Sequence, residues 1–417
     1  MISVPRVKAS SEQRVFWGLF CIWSFAWGIW SLTVPYFSDA WTYYWKLTQD
    51  ISLAEAIRRA FWWGWLDGSV GFERSISFAV YGWIGFRLGT EFHHFLIAFL
   101  HLVNSYLFWV LLKKMQIPYL ISLVTASIFL ALPLHYEAVF WTGIMLQPDF
   151  TIFLGACFLY LRLRKEIRLA PLSVGYLVMN ILLFVLLLGY PSFFQSVIML
   201  AVLEMVLRLK EESGWRNAIL SSLRNGLLLT LGPVIYFILY FLFPHYRNPL
   251  FEFNIFRGFV SVQYHYARKL FEMFSPEWIL SSIVSLAENP PILLMLIVAG
   301  IVYYRFCFYN SETQSTERYR LRWLAIDFLW GYLWMISSYL IYMLDIGFAG
   351  HSRQLYIPTL GLSIMAGSIF GFCYQRSKNK KMISMSIFCL ILVFAFLACG
   401  VSNHYGTPLN RFFGKEF

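Results

Sequence analysis

The residues best equipped for chemistry stand at the edges of apolar runs. Asp39, in PYFSDAWTYYW, follows the first run, and His135 and Glu137, in LPLHYEAVFW, follow the third. Asp149 opens the run after that, so His135, Glu137 and Asp149 can face one cavity. A carboxyl partly desolvated among aromatic rings has a raised pKa and takes protons better, and a positioned general base contributes about 10²–10⁴-fold in rate. Asp39 is thus placed as a base acting on a membrane-borne substrate. Arg74 in GFERSIS and Arg353 in GHSRQLYIP stand at other span ends, where a guanidinium suits phosphate recognition. His351 and Tyr356 flank Arg353 in the same stretch.

Each residue also has a plainer reading. Asp39 and Glu137 are ordinary interfacial acids, and Asp149, just after Pro148, suits the positive end of a helix. The arginines snorkel toward the interface, and His101, with Asn104 in LHLVNSY, is a hydrogen-bonded core histidine. His135 and Glu137, two positions apart, do not share a helical face, which argues against a dyad or a metal pair. No metal ligand set is assigned.

Composition sets the frame that must hold these groups. The 417 residues are 59% hydrophobic, 20% aromatic and only 13% charged, with mean hydropathy +0.62, too apolar for a soluble globular protein. The net charge of +11 comes with no nucleic-acid motif. The six cysteines lie in or beside apolar runs with no C-x-x-C pair and read as small core residues. The first run, Val15 to Phe37, is too long for a signal peptide and reads as a retained anchor.

Hydropathy predicts an all-α polytopic membrane protein forming one transmembrane domain over residues 1–417, with about eleven spans. They lie near 15–37, 92–112, 119–134, 149–161, 172–189, 192–207, 225–243, 291–305, 323–344, 354–374 and 382–400. Most of the 33 Lys and Arg fall in alternate short loops, which predicts a cytoplasmic N-terminus and an outer C-terminus. Two long outer loops, 38–91 and 244–290, are amphipathic. In the first, SLAEAIRRAFWWGW sets Ser52 and Glu55 at capping-box spacing. Leu53, Ile57, Phe61 and Trp65 fall on one face, and Arg58 and Arg59 on the other, at the depth of lipid phosphates.

Several of these stretches resemble the multi-span part of GT-C glycosyltransferases. The likeness is to the protein O-mannosyltransferase-like proteins whose other members carry tetratricopeptide repeats, here without the repeats. LPLHYEAVFW is similar to the family pattern His-Pro-x-His-x-Glu-Ala-Val-x-Trp at Pro133, His135, Glu137, Ala138, Val139 and Trp141. FLHLVNSYLFWVLLKK resembles its His-Leu-Val-Asn span, FERSIS its arginine element and RQLYIP its late Arg-Tyr-Leu-Tyr-Leu-Pro run. Asp39 looks like the family's early-loop acid, although Ala40 stands where a second acid is common.

The resemblance implies a GT-C-like bundle that moves a sugar from a polyprenyl-phosphate donor to an acceptor hydroxyl on a glycan, lipid or protein, at the extracytoplasmic face and with inversion. Asp39 would be the catalytic base. Arg74, His135, Glu137, Asp149, His351, Arg353 and Tyr356 would bind substrate, with Arg58 and Arg59 at the lipid interface. No cofactor is called for with certainty, a divalent metal ion being the one candidate. Membrane lipids are the expected surroundings, and nucleic acid is not an expected partner. The absence of an Asn-x-Ser/Thr sequon leans toward a bacterial plasma membrane. A polytopic transporter or lipid-linked sugar flippase, a sugar-chain polymerase and a catalytically silent relative are the alternatives.

Overall fold

A computed structural model of the chain describes residues 9–32, 52–61, 83–140, 146–169, 173–189, 193, 195–211, 214–242, 260, 264, 267–288, 290–305, 319–343 and 356–406. All regular structure among the described residues is helical. In chain order the helices are α1 (Ala9–Trp23), α2 (Leu53–Phe61), α3 (Trp83–Leu88), α4 (Thr90–Lys114), α5 (Tyr119–Ala131), α6 (Tyr136–Phe140), α7 (Leu146–Leu169) and α8 (Val174–Gly189). There follow α9 (Ser196–Lys210), α10 (Trp215–Leu228), α11 (Leu231–Leu242), α12 (Pro276–Glu288), α13 (Pro290–Tyr303), α14 (Leu321–Met343), α15 (Pro358–Arg376) and α16 (Lys380–Gly406).

Every apolar run of the sequence carries a helix, but with altered lengths. Glu91–Lys114 and Lys380–Gly400 are each long and apolar enough to cross a membrane, and α10 with α11 add a third if that bent pair is counted as one span. The apolar helices α5 and α8 have 13 and 16 residues, fewer than the roughly 20 that span hydrocarbon at 1.5 Å per residue. The first run is not one regular helix. After α1 the chain widens into a π turn, Ser24–Gly28, then tightens into a 3-10 turn, Trp30–Leu32. Ser24 Oγ donates to Phe20 O at 2.8 Å, a side-chain bond that competes with the helical ladder.

Indole N–H groups tie these helices to distant backbone. Trp23 Nε1 donates to Ala98 O, Trp27 Nε1 to Leu130 O and Trp334 Nε1 to Met199 O, at 2.6 to 2.8 Å. Gly331 of α14 and Gly361 of α15 face one another so closely that a methyl group on either would overlap the other helix's backbone. Small residues at such a crossing let two helix backbones pack directly. The periphery is apolar as well. Ile181, Leu223, Leu227, Ile238, Leu294 and Ile301 are all exposed on the outer faces of α8, α10, α11 and α13. A surface of this kind is stable against lipid or another apolar surface, not against water.

The acids inside the bundle are paired. Glu204 of α9 is fully buried and receives Arg208 at 2.8 Å, Arg164 of α7 at 3.3 Å and the Tyr160 hydroxyl at 3.1 Å. Asp327 of α14 meets Lys210 at 2.7 Å and accepts the Tyr319 hydroxyl at 2.7 Å. Lys210 also donates to Met115 O, in the turn between α4 and α5. These contacts gather the ends of α4, α7 and α9 and the starts of α5 and α14 at one end of the bundle. Glu204 and Asp327 thus clamp separate helices together.

The predicted span 225–243 is broken. The α10 and α11 axes differ by 43° around Leu229 and Thr230. Pro233 lacks an N–H, which leaves the Leu229 carbonyl without its helical donor. The neighbouring link, from Gly232 N–H to Leu228 O, is replaced by a side chain of α8. Asn180 Oδ1 accepts the Gly232 N–H at 3.0 Å, and Asn180 Nδ2 donates to Leu228 O at 3.3 Å. A methyl group at Gly232 would overlap the Asn180 carbonyl oxygen, so the glycine permits the approach.

Removing this amide leaves a backbone donor and acceptor without partners, each unpaired group costing about 1–3 kcal/mol. Asn180→Leu is therefore expected to lower the thermal midpoint of the purified protein, read by intrinsic fluorescence, while Leu177→Ala on the exposed side of α8 leaves it nearly unchanged. Equal midpoints for Asn180→Leu and the parent would show that the amide does not hold the bend.

Candidate functional site

Three helices and a 3-10 turn come together around a buried polar cluster at the opposite end from the ionic clamps. Its members are His101 and Asn104 of α4, His135 of the 3-10 turn Pro133–His135, Gln147 and Thr151 of α7, and Tyr356 and Thr359 at the start of α15. Local spacing brings each pair to one face: 101 and 104, 356 and 359 three apart, 147 and 151 four apart. His101, Asn104, His135, Gln147 and Thr359 are each fully buried, as is Tyr356.

The bonds form a continuous row. Tyr356 donates its hydroxyl proton to Gln147 Oε1 at 2.7 Å and lies 2.8 Å from His101 Nδ1. His101 Nε2 is 3.4 Å from His135 Nδ1 and 3.2 Å from Leu130 O, and His135 Nε2 is 2.6 Å from Thr359 Oγ1. Asn104 Nδ2 donates to Gln147 O and Oε1, both at 3.0 Å, and Thr151 donates to Asn104 Oδ1 at 2.8 Å. Gln147 Nε2 reaches Ala138 O of α6 at 3.3 Å.

Counting protons fixes the row's logic. With Tyr356 committed to Gln147, the neutral row runs His101 Nδ1–H to the Tyr356 oxygen, His135 Nδ1–H to His101 Nε2, and the Thr359 hydroxyl to His135 Nε2. Leu130 O keeps a donor in this arrangement, because Trp27 Nε1 also reaches it. Thr359 Oγ1 is also 2.6 Å from Tyr356 O, which gives its proton a second acceptor, while the commitment of the Tyr356 proton to Gln147 keeps the proton of His101 on Nδ1. Two imidazoles and two hydroxyls thus form one chain that ends on the Gln147 carboxamide.

Of the residues singled out by sequence, His135 and Tyr356 meet in this cluster. His135 differs from expectation, for it does not emerge at the surface: the 3-10 turn, closed by His135 N–H to Leu132 O at 3.2 Å, folds its ring back against His101. Asp149, 2% exposed, stands in the first turn of α7 two residues beyond Gln147, with Gly189 at the end of α8 against its carboxylate. The helix N-terminus favours its negative charge. Glu137 is carried by the backbone of α6. Asp39, Arg74, His351 and Arg353 lie outside the described residues. Gln147, Thr151 and Thr359 belong to the cluster and escaped sequence reading, their one signal being polar residues at helical spacing inside apolar runs. Among the described residues no group of three or more His, Cys, Asp or Glu is placed to hold a metal ion.

Arg58 and Arg59 stand apart, on α2. The capping-box spacing forms as expected on one side, Glu55 N–H to Ser52 Oγ at 3.2 Å. Among the described side chains of this helix Ala56 is buried and Ile57 is exposed. Both guanidiniums are engaged: Arg58 grips both Glu55 oxygens at 2.7 and 2.8 Å, and Arg59 bonds Oε1 at 2.8 Å. These hydrogen bonds, from Arg58 and then Arg59, hold the Glu55 carboxyl at about 2.

No protein-family model matches the chain, and no curated protein matches it in sequence.

Two outcomes test this geometry. Tyr356→Phe keeps the ring but removes the hydroxyl shared by Gln147 and His101, and leaving such buried partners unpaired is expected to destabilise the protein by about 1–3 kcal/mol in denaturant unfolding. A change below the measurement error would remove the hydroxyl from the network. On α2, depression of the Glu55 pKa means its contribution is complete above the ordinary carboxylate range and fades as pH falls toward about 2. Carboxyl NMR should place the Glu55 midpoint near 2, and in Arg58→Gln/Arg59→Gln near the ordinary glutamate value of about 4.3.

Proposed function

We propose that the chain is a GT-C-type glycosyltransferase, a polytopic membrane protein of about eleven spans with its site on the extracytoplasmic face. It moves a hexosyl or pentosyl group from a polyprenyl-phosphate donor to the hydroxyl of a glycan, lipid or protein. The observation that carries this reading is the meeting of His101, Asn104, His135 and Tyr356, which come from three separated stretches that resemble the family, in one buried network two residues from Asp149. Unrelated apolar helices have no reason to bring those stretches together.

In this reading the cluster positions the substrate and the loop residues Asp39, Arg74 and Arg353 react. The acceptor oxygen attacks the anomeric carbon as the carbon–oxygen bond to phosphate breaks, and the phosphate leaves with the electron pair. Asp39 takes the acceptor proton. Arg74 and Arg353 stabilise the charge growing on the phosphate, an interaction worth most where it exists before the reaction. Tyr356, three residues beyond Arg353 in the sequence, is anchored to Gln147 and His101. Glu137 and Asp149 would contact sugar or acceptor in this reading.

One observation favours a second reading, a lipid-linked sugar flippase. Transporters often place discontinuous helices at the substrate path, and α10–α11 is such a break. The two are separated by incubating purified protein with polyprenyl-phosphate sugars and scoring the freed lipid phosphate. The transferase reading expects turnover in the parent and a loss of about 10²–10⁴-fold in Asp39→Asn with unchanged expression. Undiminished turnover in Asp39→Asn removes the aspartate as base; movement of the intact donor across proteoliposomes without phosphate release supports the flippase.

A further inference from the structure

The end of the bundle that holds the ionic clamps also carries a basic surface that those clamps do not use. α15 ends at Arg376 and α16 begins at Lys380, and the turn between them is built rather than loose. Asn379 N–H donates to Ser377 Oγ at 3.0 Å, and Asn379 Oδ1 accepts the Met382 N–H at 3.1 Å, capping α16. The fixed turn presents Arg376, Lys378, Lys380 and Lys381, all exposed. The start of α14 lies beside it, because Gln375 Nε2 donates to Tyr319 O at 2.9 Å, and it adds exposed Arg320 and Arg322.

Three of these cations rest on rings: Arg376 over Phe372, Lys380 over Tyr374 and Arg320 over Trp323, at 5.5 to 5.6 Å. Arg322, Arg376, Lys378, Lys380 and Lys381 form no ion pair among the described residues. Asp327, the acid of α14, is committed to Lys210 and Tyr319. Immediately along the helices from the cations the surface turns apolar, with exposed Ile369, Phe372, Met382 and Met385. The charge of Arg376 and Lys380, uncompensated and on aromatic platforms, bordered by exposed hydrocarbon, matches a ligand that is anionic at its head and apolar beyond it.

We infer that the α14–α15–α16 end is a docking surface for the headgroups of anionic bilayer phospholipids, which it selects over zwitterionic ones. A free phosphate would use the cations alone and gain nothing from the apolar border. The inference depends on the protein lying in a membrane and is independent of glycosyl transfer.

The test uses the purified full chain in phosphatidylcholine nanodiscs, titrated with phosphatidylglycerol and followed by native mass spectrometry of retained lipid. The parent is expected to retain phosphatidylglycerol preferentially, with the preference falling as salt is raised. Each neutralised cation near an anionic surface weakens retention by up to about fivefold, so Arg376→Gln/Lys378→Gln/Lys380→Gln/Lys381→Gln should reduce the preference by at least about tenfold. A charge-conserving set, Arg376→Lys/Lys378→Arg/Lys380→Arg/Lys381→Arg, should keep it. An unchanged preference in the glutamine set, its loss in the charge-conserving set, or displacement of the lipid by inorganic phosphate would overturn the inference.

Discussion

A phenol, a carboxamide and an imidazole buried together at a junction of helices set the terms for the rest of this molecule. Where water is excluded, each polar group must find its partner inside the protein, and an unpaired one is expensive. Tyr356 answers to Gln147 and His101, so α15, α7 and α4 share one register at that end. His135 extends the tie to the turn after α5 through Thr359. Hydrophobic packing could tolerate a small slide of one helix along another; a row of directional bonds cannot.

The other end answers the same constraint with charge. Glu204 receives two guanidiniums and a phenol, and Asp327 receives Lys210 and Tyr319, so each buried carboxylate has several partners. Buried ion pairs of this kind add little net stability beyond what apolar residues of similar volume supply, but removing one partner strands the other. Their effect is to specify which helices are neighbours. The bundle is thus pinned at one end by neutral hydrogen bonds and at the other by ions, with apolar and glycine-mediated packing between.

Much of this was legible in the sequence at the level of elements. Apolar runs announced the helices because burial requires them, and His101, mid-run with Asn104, read as a hydrogen-bonded core histidine. Partner identity was not legible. Gln147 looked like a neutral residue ahead of Pro148 and Asp149, since its importance comes from Tyr356, more than two hundred positions away. The run at 225–243 read as one span because hydropathy does not register a helix break, although Gly232 and Pro233 were both visible. On α2 the helical pattern and the capping-box spacing gave the element and its Ser52 cap.

The mended gap between α10 and α11 also imposes an order on biosynthesis. Asn180 leaves the ribosome before Leu228 and Gly232, so the carboxamide that bridges the interruption is in place when the interrupted segment arrives. A circularly permuted chain with α8 translated last would expose the open backbone until its patch appeared, and quality-control proteases would meet that intermediate first.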